Sequence, residues 1–212
     1  MGTDDLHWKR KRRNDLRRKT GWRGKPLQRF LVVCEGKRTE PEYFSAFPLN
    51  SQLLKVKVHG TGRNTLSLVE ETLKLKKVAE MSGEGFDQVW CVFDNDSFTK
   101  QKVNSAFELA RQNKVEVAFS HEAFELWYLL HFDYFDMALS RSQYKKMLTE
   151  RLGFPYKKND EGMYEVLLDR QKVAIKNSIR LLETHHGKLP CDRTPSTTVH
   201  KLVIELNKSL KS

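Results

Sequence analysis

The stretch Phe30-Leu31-Val32-Val33-Cys34-Glu35-Gly36 decides the fold, because five apolar residues end abruptly in an acid and a glycine. A short run that is apolar at every position is typical of a parallel strand buried on both faces. Gly36 allows the chain to turn sharply. The next segment, Thr39-Glu40-Pro41-Glu42, has proline in the position that favours a helix start. The stretch therefore predicts a strand, a tight turn and a helix, which is the first unit of an α/β domain.

Further strand and helix signals alternate as far as residue 133. Strands are predicted at residues 53–58, 89–93 and 115–119. Helices are predicted from residue 65 to about 81, from Asp96 to about 113, and at 121–132. This alternation implies right-handed crossovers, and hence a parallel sheet of about four strands flanked by helices.

The final third of the chain has helix signals only, at residues 141–152, 164–184 and 198–210, separated by glycine and proline. The sequence thus predicts a basic arm at 1–28, an α/β domain at 29–133 and a helical C-terminal extension at 134–212. The extension could cap the α/β core or serve as a docking surface, and the pattern does not separate the two.

Positive charge is concentrated at the N-terminus. The first thirty residues hold eleven lysines and arginines against three aspartates, so they carry most of the net charge of +11. Such a self-repelling segment without apolar spacing predicts a flexible arm that attracts nucleic-acid phosphates. A solubilising tail, or an arm that docks on an acidic partner, would have the same composition. The arginines predicted to bind phosphate here are Arg10, Arg12, Arg13, Arg17 and Arg18.

The remaining composition favours a water-soluble protein. Mean hydropathy is −0.63 and charged residues make up 31% of the chain. No segment approaches the roughly 18 apolar residues of a membrane helix, and no apolar region follows the basic start as in a signal peptide. Three widely spaced cysteines give no zinc motif and suit a reducing cytoplasm. We therefore expect a cytoplasmic location and no membrane partner.

Acidic residues follow two of the predicted strands. Glu35 ends the first strand, and Asp94 and Asp96 end the third. Ligands of open α/β sheets bind beyond the carboxyl ends of the strands, and clustered carboxylates suit Mg²⁺ or Mn²⁺. Asp96 could instead cap a helix, and Glu35 could belong to an ordinary turn. The three acids together favour a divalent-metal site.

Four segments resemble known families. Two segments at strand ends resemble the Toprim signature of topoisomerases, primases and small nucleases. They are Val33-Cys34-Glu35-Gly36 and Phe93-Asp94-Asn95-Asp96. A second resemblance is carried by the basic arm and by Cys34-Glu35-Gly36-Lys37-Arg38-Thr39-Glu40-Pro41-Glu42-Tyr43-Phe44, Trp90-Cys91-Val92-Phe93-Asp94-Asn95-Asp96, Phe119-Ser120-His121-Glu122-Ala123-Phe124-Glu125-Leu126-Trp127-Tyr128-Leu129-Leu130-His131-Phe132 and Pro195-Ser196-Thr197-Thr198-Val199-His200-Lys201-Leu202. With these segments, and over nearly its whole length, the chain resembles the RloB-like family of bacterial defence and abortive-infection proteins. Glu122 departs from the family pattern.

The resemblance implies roles for the acids. Glu35 becomes the general acid/base, and Asp94 and Asp96 become the metal ligands. Glu35 could also be a ligand, since a nearby cation lowers the pKa of a carboxyl group. The family likeness further implies a separate ATPase partner of the ABC or AAA type, because this chain has no Gly-Lys-Ser/Thr phosphate loop.

Weaker candidates surround this trio. Glu40 could support the site from behind or simply favour the helix start. His121 and Glu125, four residues apart, are predicted to share a helix face at the edge of the site. The other predicted phosphate contacts are Lys37, Arg38 and Arg63.

The acidic trio predicts a Mg²⁺ or Mn²⁺ site, and the family resemblance implies a metal-dependent nuclease that acts in anti-phage defence with an ATPase partner. The alternative is a non-catalytic Toprim-like subunit that binds nucleic acid or the partner. A primase subunit is disfavoured because no zinc-binding segment is present. DNA or RNA as substrate, and the oligomeric state, stay open.

Overall fold

A computed structural model describes residues 27–58, 65–95, 99–158 and 162–210. Several predicted residues lie outside these ranges. They are Arg63, Asp96, which is one of the two aspartates of the metal trio, and Arg10, Arg12, Arg13, Arg17 and Arg18 of the basic arm.

A parallel sheet forms the centre of the described chain. Its strands are β1 (Phe30–Cys34), β2 (Leu54–Val58), β3 (Gln88–Asn95) and β4 (Glu116–His121), in the order β2-β1-β3-β4. All three pairings are parallel. The predicted α/β fold, with a four-stranded parallel sheet flanked by helices, is confirmed.

Helices connect the strands and make up the C-terminal third. Their apolar residues pack on both faces of the sheet. They are α1 (Thr39–Ser45), α2 (Thr65–Met81), α3 (Lys100–Gln112), α4 (Glu125–Leu129), α5 (Arg141–Leu152), α6 (Met163–Leu167), α7 (Gln171–Glu183) and α8 (Val199–Leu210), with 3₁₀ turns at Leu168–Arg170 and Pro190–Asp192.

Two apolar clusters cover the two faces of the sheet. Alternation along β1 sends Val32 to one cluster and Val33 to the other, as the period of a strand requires. The second cluster contains residues of α2 and α3. The first also contains Trp127 of α4 and Leu206 of α8, so the C-terminal helices share a core with the sheet. A domain boundary at residue 133 stays a prediction.

The helix predicted at residues 121–132 is wrong in its first half. His121 is the last residue of β4, and α4 begins only at Glu125. Between them Glu122 has a φ of 66°, in the left-handed region that a helix cannot contain, and its N–H donates to the carbonyl of Asn95 at 3.0 Å. A backbone bond to the neighbouring strand therefore overrides the local helix pattern.

The helix predicted at 164–184 is also interrupted. Two helices occupy this segment, α6 and α7, with the 3₁₀ turn Leu168–Arg170 between them. Leu167, the last residue of α6, is fully buried, whereas Leu168 is 45% exposed. The tighter 3₁₀ turn changes which side of the helix is buried between α6 and α7. An apolar pattern averaged over the whole segment does not reveal this change.

The outer edge of β4 is covered by residues 196–198. Ser120 forms an antiparallel bridge with Thr197, and the Thr198 N–H donates to the Phe119 carbonyl at 2.7 Å. The His121 N–H donates to Ser196 in the same way, at 2.8 Å. Covering an edge strand satisfies its exposed backbone groups. Within the described ranges, every helix is too short or too polar to cross a lipid bilayer.

Candidate metal site

The carboxyl ends of β1 and β3 bring Glu35 and Asp94 to one edge of the sheet. The Glu35 N–H donates to the Val92 carbonyl at 2.9 Å, which extends the β1–β3 ladder by one bond. β3 continues beyond this point, and its Asp94 pairs with Ser120 of β4. Both acids are partly exposed. The metal-ligand role predicted for Asp96 stays a prediction, since Asp96 lies outside the described residues.

Glu40 is buried directly behind the turn that follows β1. It lies in the first turn of α1 and is only 5% exposed. Its carboxyl group packs against Gly36, where an added Cβ would lie 2.7 Å from Oε1. Gly36 is therefore needed for close approach of the Glu40 carboxylate. The structure places Glu40 within the acidic edge, rather than only at a helix start.

Glu125 is the fourth acid at this edge. It begins α4, is 8% exposed, and accepts a hydrogen bond from the Tyr156 hydroxyl at 3.1 Å. Tyr156 is itself buried and comes from the loop after α5. The helix face predicted to be shared by His121 and Glu125 does not exist, because His121 belongs to β4.

The three carboxylates interact electrostatically. Burial raises the pKa of Asp94 well above its usual range, and the charges of Glu40 and Glu125 raise it further. Burial likewise raises the pKa of Glu40, with a further contribution from Glu125. We call Glu40, Asp94 and Glu125 the acidic cluster. Ionised carboxylates held this close repel each other unless a proton or a cation is present.

Two cations of the C-terminal extension reach the same cluster. Lys158 and Arg141 both lower the pKa values of Asp94 and Glu40, against the larger effect of burial. Lys158 follows α5 and Arg141 begins it. The sequence analysis missed both residues, because each lies in a polar segment more than fifteen residues beyond the nearest predicted acid and carries no motif.

The donor chemistry of the acidic cluster suits Mg²⁺ or Mn²⁺. These hard cations take oxygen ligands, and all three members supply carboxylate oxygens. Among the residues that the structure describes, however, no three histidine, cysteine or acidic side chains are already gathered as a metal-binding group. The fit of a divalent ion to this edge rests on the oxygen atoms of the three carboxylates and on their mutual repulsion. Asp94, Glu40 and Glu125 would hold the ion, with Glu35 and Asp96 as the further predicted ligands.

The described phosphate candidates lie around this edge. Lys37 and Arg38 are exposed in the turn between β1 and α1, next to Glu35. His121 is partly buried at the end of β4, and burial, with a contribution from His185, lowers its pKa. Its Nδ1 is buried and has no hydrogen-bond partner within the described part of the chain. His121 lies beside Asn95, so it stays a candidate for the edge of the site.

Comparison with known proteins gives one family. The model of the RloB-like protein family matches residues 30–206, which include the four described strands, the acidic cluster and both cations. No curated protein matches the chain. A Toprim-like catalytic domain stays a prediction from resemblance. A match over this much of the sequence shows that the chain belongs to the RloB-like protein family.

Proposed function

We propose that the chain is a divalent-metal-dependent nuclease that hydrolyses phosphodiesters of DNA or RNA. The observation that carries this proposal is the acidic cluster, in which Glu40, Asp94 and Glu125 repel each other at the carboxyl edge of a parallel sheet. Carboxylates that repel each other are favoured to bind a divalent cation, and this edge is where open α/β sheets bind their ligands.

The proposed reaction consumes water and no other co-reactant. The oxygen of a water molecule forms a bond to phosphorus, one ester P–O bond breaks, and the leaving oxygen keeps the electron pair and gains a proton. A bound divalent ion would stabilise negative charge on the phosphate oxygens. Glu35, which is partly exposed at the same edge, takes the proton from water or gives it to the leaving oxygen. Asp94 and the buried acids stay ionised to hold the cation.

The biological setting is proposed from the family. The RloB-like resemblance implies antiviral defence together with a separate ATPase. The sequence supports the need for such a partner, because it has no phosphate loop of its own. Nucleic acid would be drawn to the site by Lys37 and Arg38 and by the basic N-terminal residues.

A cleavage panel tests the proposal. The full chain would be incubated with single-stranded DNA, duplex DNA, tRNA and rRNA in Mg²⁺, Mn²⁺ or EDTA, with and without the proposed ATPase partner. We expect metal-dependent cleavage of at least one substrate. Asp94→Asn should slow it by about 100-fold or more, because a metal ligand is lost. Asp136→Asn, which changes an exposed aspartate outside the cluster, is the matched control.

Two results would contradict the proposal. The first is cleavage by Asp94→Asn as fast as by Asp136→Asn. The second is nucleic-acid binding that needs no metal and leads to no cleavage under any condition, which would favour the non-catalytic subunit instead.

A further inference from the structure

The loop after α5 is held against the acidic cluster at two points. It leaves the helix through Gly153, whose φ of 77° suits glycine. The Tyr156 hydroxyl then donates to Glu125 at 3.1 Å. Two residues later, the Lys158 carbonyl accepts a hydrogen bond from the Thr39 hydroxyl at 2.8 Å. Lys158 is thereby fixed beside Glu40, the neighbour of Thr39 in α1.

Arg141 approaches the cluster from another direction. Its Nε donates to the carbonyl of Glu122 at 3.1 Å. Glu122 is in turn bonded through its N–H to Asn95, the residue after Asp94. The start of α5 is fixed as well, because the Ser140 N–H donates to the Gln143 side chain at 2.8 Å. The guanidinium group is thus held beside the ends of β3 and β4.

The two cations differ from the acids in exposure. Arg141 and Lys158 are exposed, whereas Glu40 and Glu125 are buried. Each influences Asp94 and Glu40 electrostatically. The two side chains come from the two ends of one helix–loop unit, so a single packed element determines their separation.

Charge balance shows why cations beside the acids favour phosphate binding. Three ionised carboxylates and one divalent ion together stay negative, and a negative site repels a phosphodiester. Arg141 and Lys158 offset this negative charge. A guanidinium group can also grip two phosphate oxygens at once, whereas an ammonium group acts as a point charge.

We propose that Arg141 and Lys158 form a clamp that binds the non-bridging oxygens of the phosphate lying over the acidic cluster. This inference rests on the proposed function, since it assumes that the cluster acts on phosphodiesters. The competing explanation is that the two cations only neutralise the buried acids. The two explanations differ in what happens to nucleic-acid binding when the metal is present.

The test separates metal binding from nucleic-acid binding. Arg141→Ala, Arg141→Lys and Lys158→Ala would be compared with Lys145→Ala, which removes an exposed charge one turn further along α5. Mn²⁺ binding would be measured by titration calorimetry. Binding of a fluorescein-labelled oligonucleotide would be measured by anisotropy in Ca²⁺, a hard cation that also takes carboxylate oxygens as ligands.

We expect each alanine variant of the clamp to bind the oligonucleotide about tenfold more weakly than Lys145→Ala does. Arg141→Lys should recover part of the loss. Mn²⁺ affinity should be unchanged or higher, because a repelling charge has been removed from the acids. The weaker oligonucleotide binding of the two alanine variants relative to Lys145→Ala should disappear in an Asp94→Asn background, which lacks the metal that positions the phosphate.

The clamp is refuted if Arg141→Ala and Lys158→Ala bind the oligonucleotide as tightly as Lys145→Ala does. It is also refuted if they lose Mn²⁺ binding in parallel, since the cations would then serve only the acids. If no substrate is cut but the metal-dependent binding difference persists, the clamp is supported and only hydrolysis is excluded.

Discussion

A Gly36→Ala substitution would place a methyl group where the Glu40 carboxylate lies. The added Cβ would be 2.5 Å from Glu40 Cδ and 2.7 Å from Oε1. Carbon atoms in contact are normally about 3.5 Å apart or more, so one partner must move by about 1 Å. Glu40 is 5% exposed, and Asp94 and Glu125 interact electrostatically with it. Displacement is therefore opposed by packing and by charge.

The expected cost follows from this overlap. Overpacking a buried site typically lowers the free energy of unfolding by about 1–3 kcal/mol. Alanine also restricts the unfolded chain, which stabilises the protein by roughly 0.4–1 kcal/mol at a compatible position. Gly85→Ala provides the matched control, because its Cβ would meet nothing closer than 3.9 Å. The gain from the unfolded state largely cancels between the two variants, so their difference isolates the overlap.

Urea denaturation at neutral pH measures both variants, alone and in a Glu40→Ala background. Gly36→Ala should be less stable than Gly85→Ala by about 1–3 kcal/mol, and most of that difference should vanish when Glu40 is alanine. Calorimetry should also show weaker Mn²⁺ binding by Gly36→Ala. Equal stability of the two variants, or a difference that persists without the Glu40 side chain, would refute the packing argument.

Two other perturbations test the charges of the fold. Asp94→Asn should increase the free energy of unfolding in EDTA at neutral pH. The reason is that burial, Glu40 and Glu125 raise the pKa of the Asp94 carboxyl group, so this group opposes folding once it is ionised. Mn²⁺ at a hundredfold excess over its Kd should stabilise the unsubstituted protein by about 2.7 kcal/mol and should not stabilise Asp94→Asn. Burial lowers the pKa values of His131 and His200 to about 4, whereas a value near 6.5 is expected after unfolding. The free energy of unfolding should therefore fall as the pH drops from about 6.5 towards 4, by up to about 3 kcal/mol for each histidine. Urea titrations over this pH range would be made in the Asp94→Asn background, which removes the opposing contribution of that acid. The prediction is contradicted if the free energy of unfolding does not change with pH. It is also contradicted if exchanging both histidines for glutamine leaves its pH dependence unchanged.

Local sequence patterns were sufficient for the elements at the centre of the fold. β1 extends over Phe30–Cys34 as predicted, and α2 and α5 have the predicted bounds Thr65–Met81 and Arg141–Leu152. In each of these segments a buried run or a helical apolar period coincides with clear end signals, and the local preference agrees with the tertiary contacts. The alternation of such segments also determined the parallel sheet.

Patterns failed where a contact from a distant part of the chain changes the backbone. At Glu122 a bond to Asn95 of the neighbouring strand forces a left-handed conformation, so the predicted helix begins late and His121 stays in β4. The residues next to Glu122 in the sequence carry no pattern that predicts this hydrogen bond. The propensity of an isolated segment cannot include the free energy of pairing with another strand.

The sequence by itself determined which strand ends carry acids and that the chain is an α/β protein, because both follow from residue order along single elements. Only the tertiary structure decided that Glu40 and Glu125 lie with Asp94, and that Arg141 and Lys158 reach them from the C-terminal helices. The physical reason is that burial and Coulomb interactions depend on distance in space. Residues far apart in the chain acquire a common electrostatic environment only when the core of the sheet and the C-terminal helices pack as one.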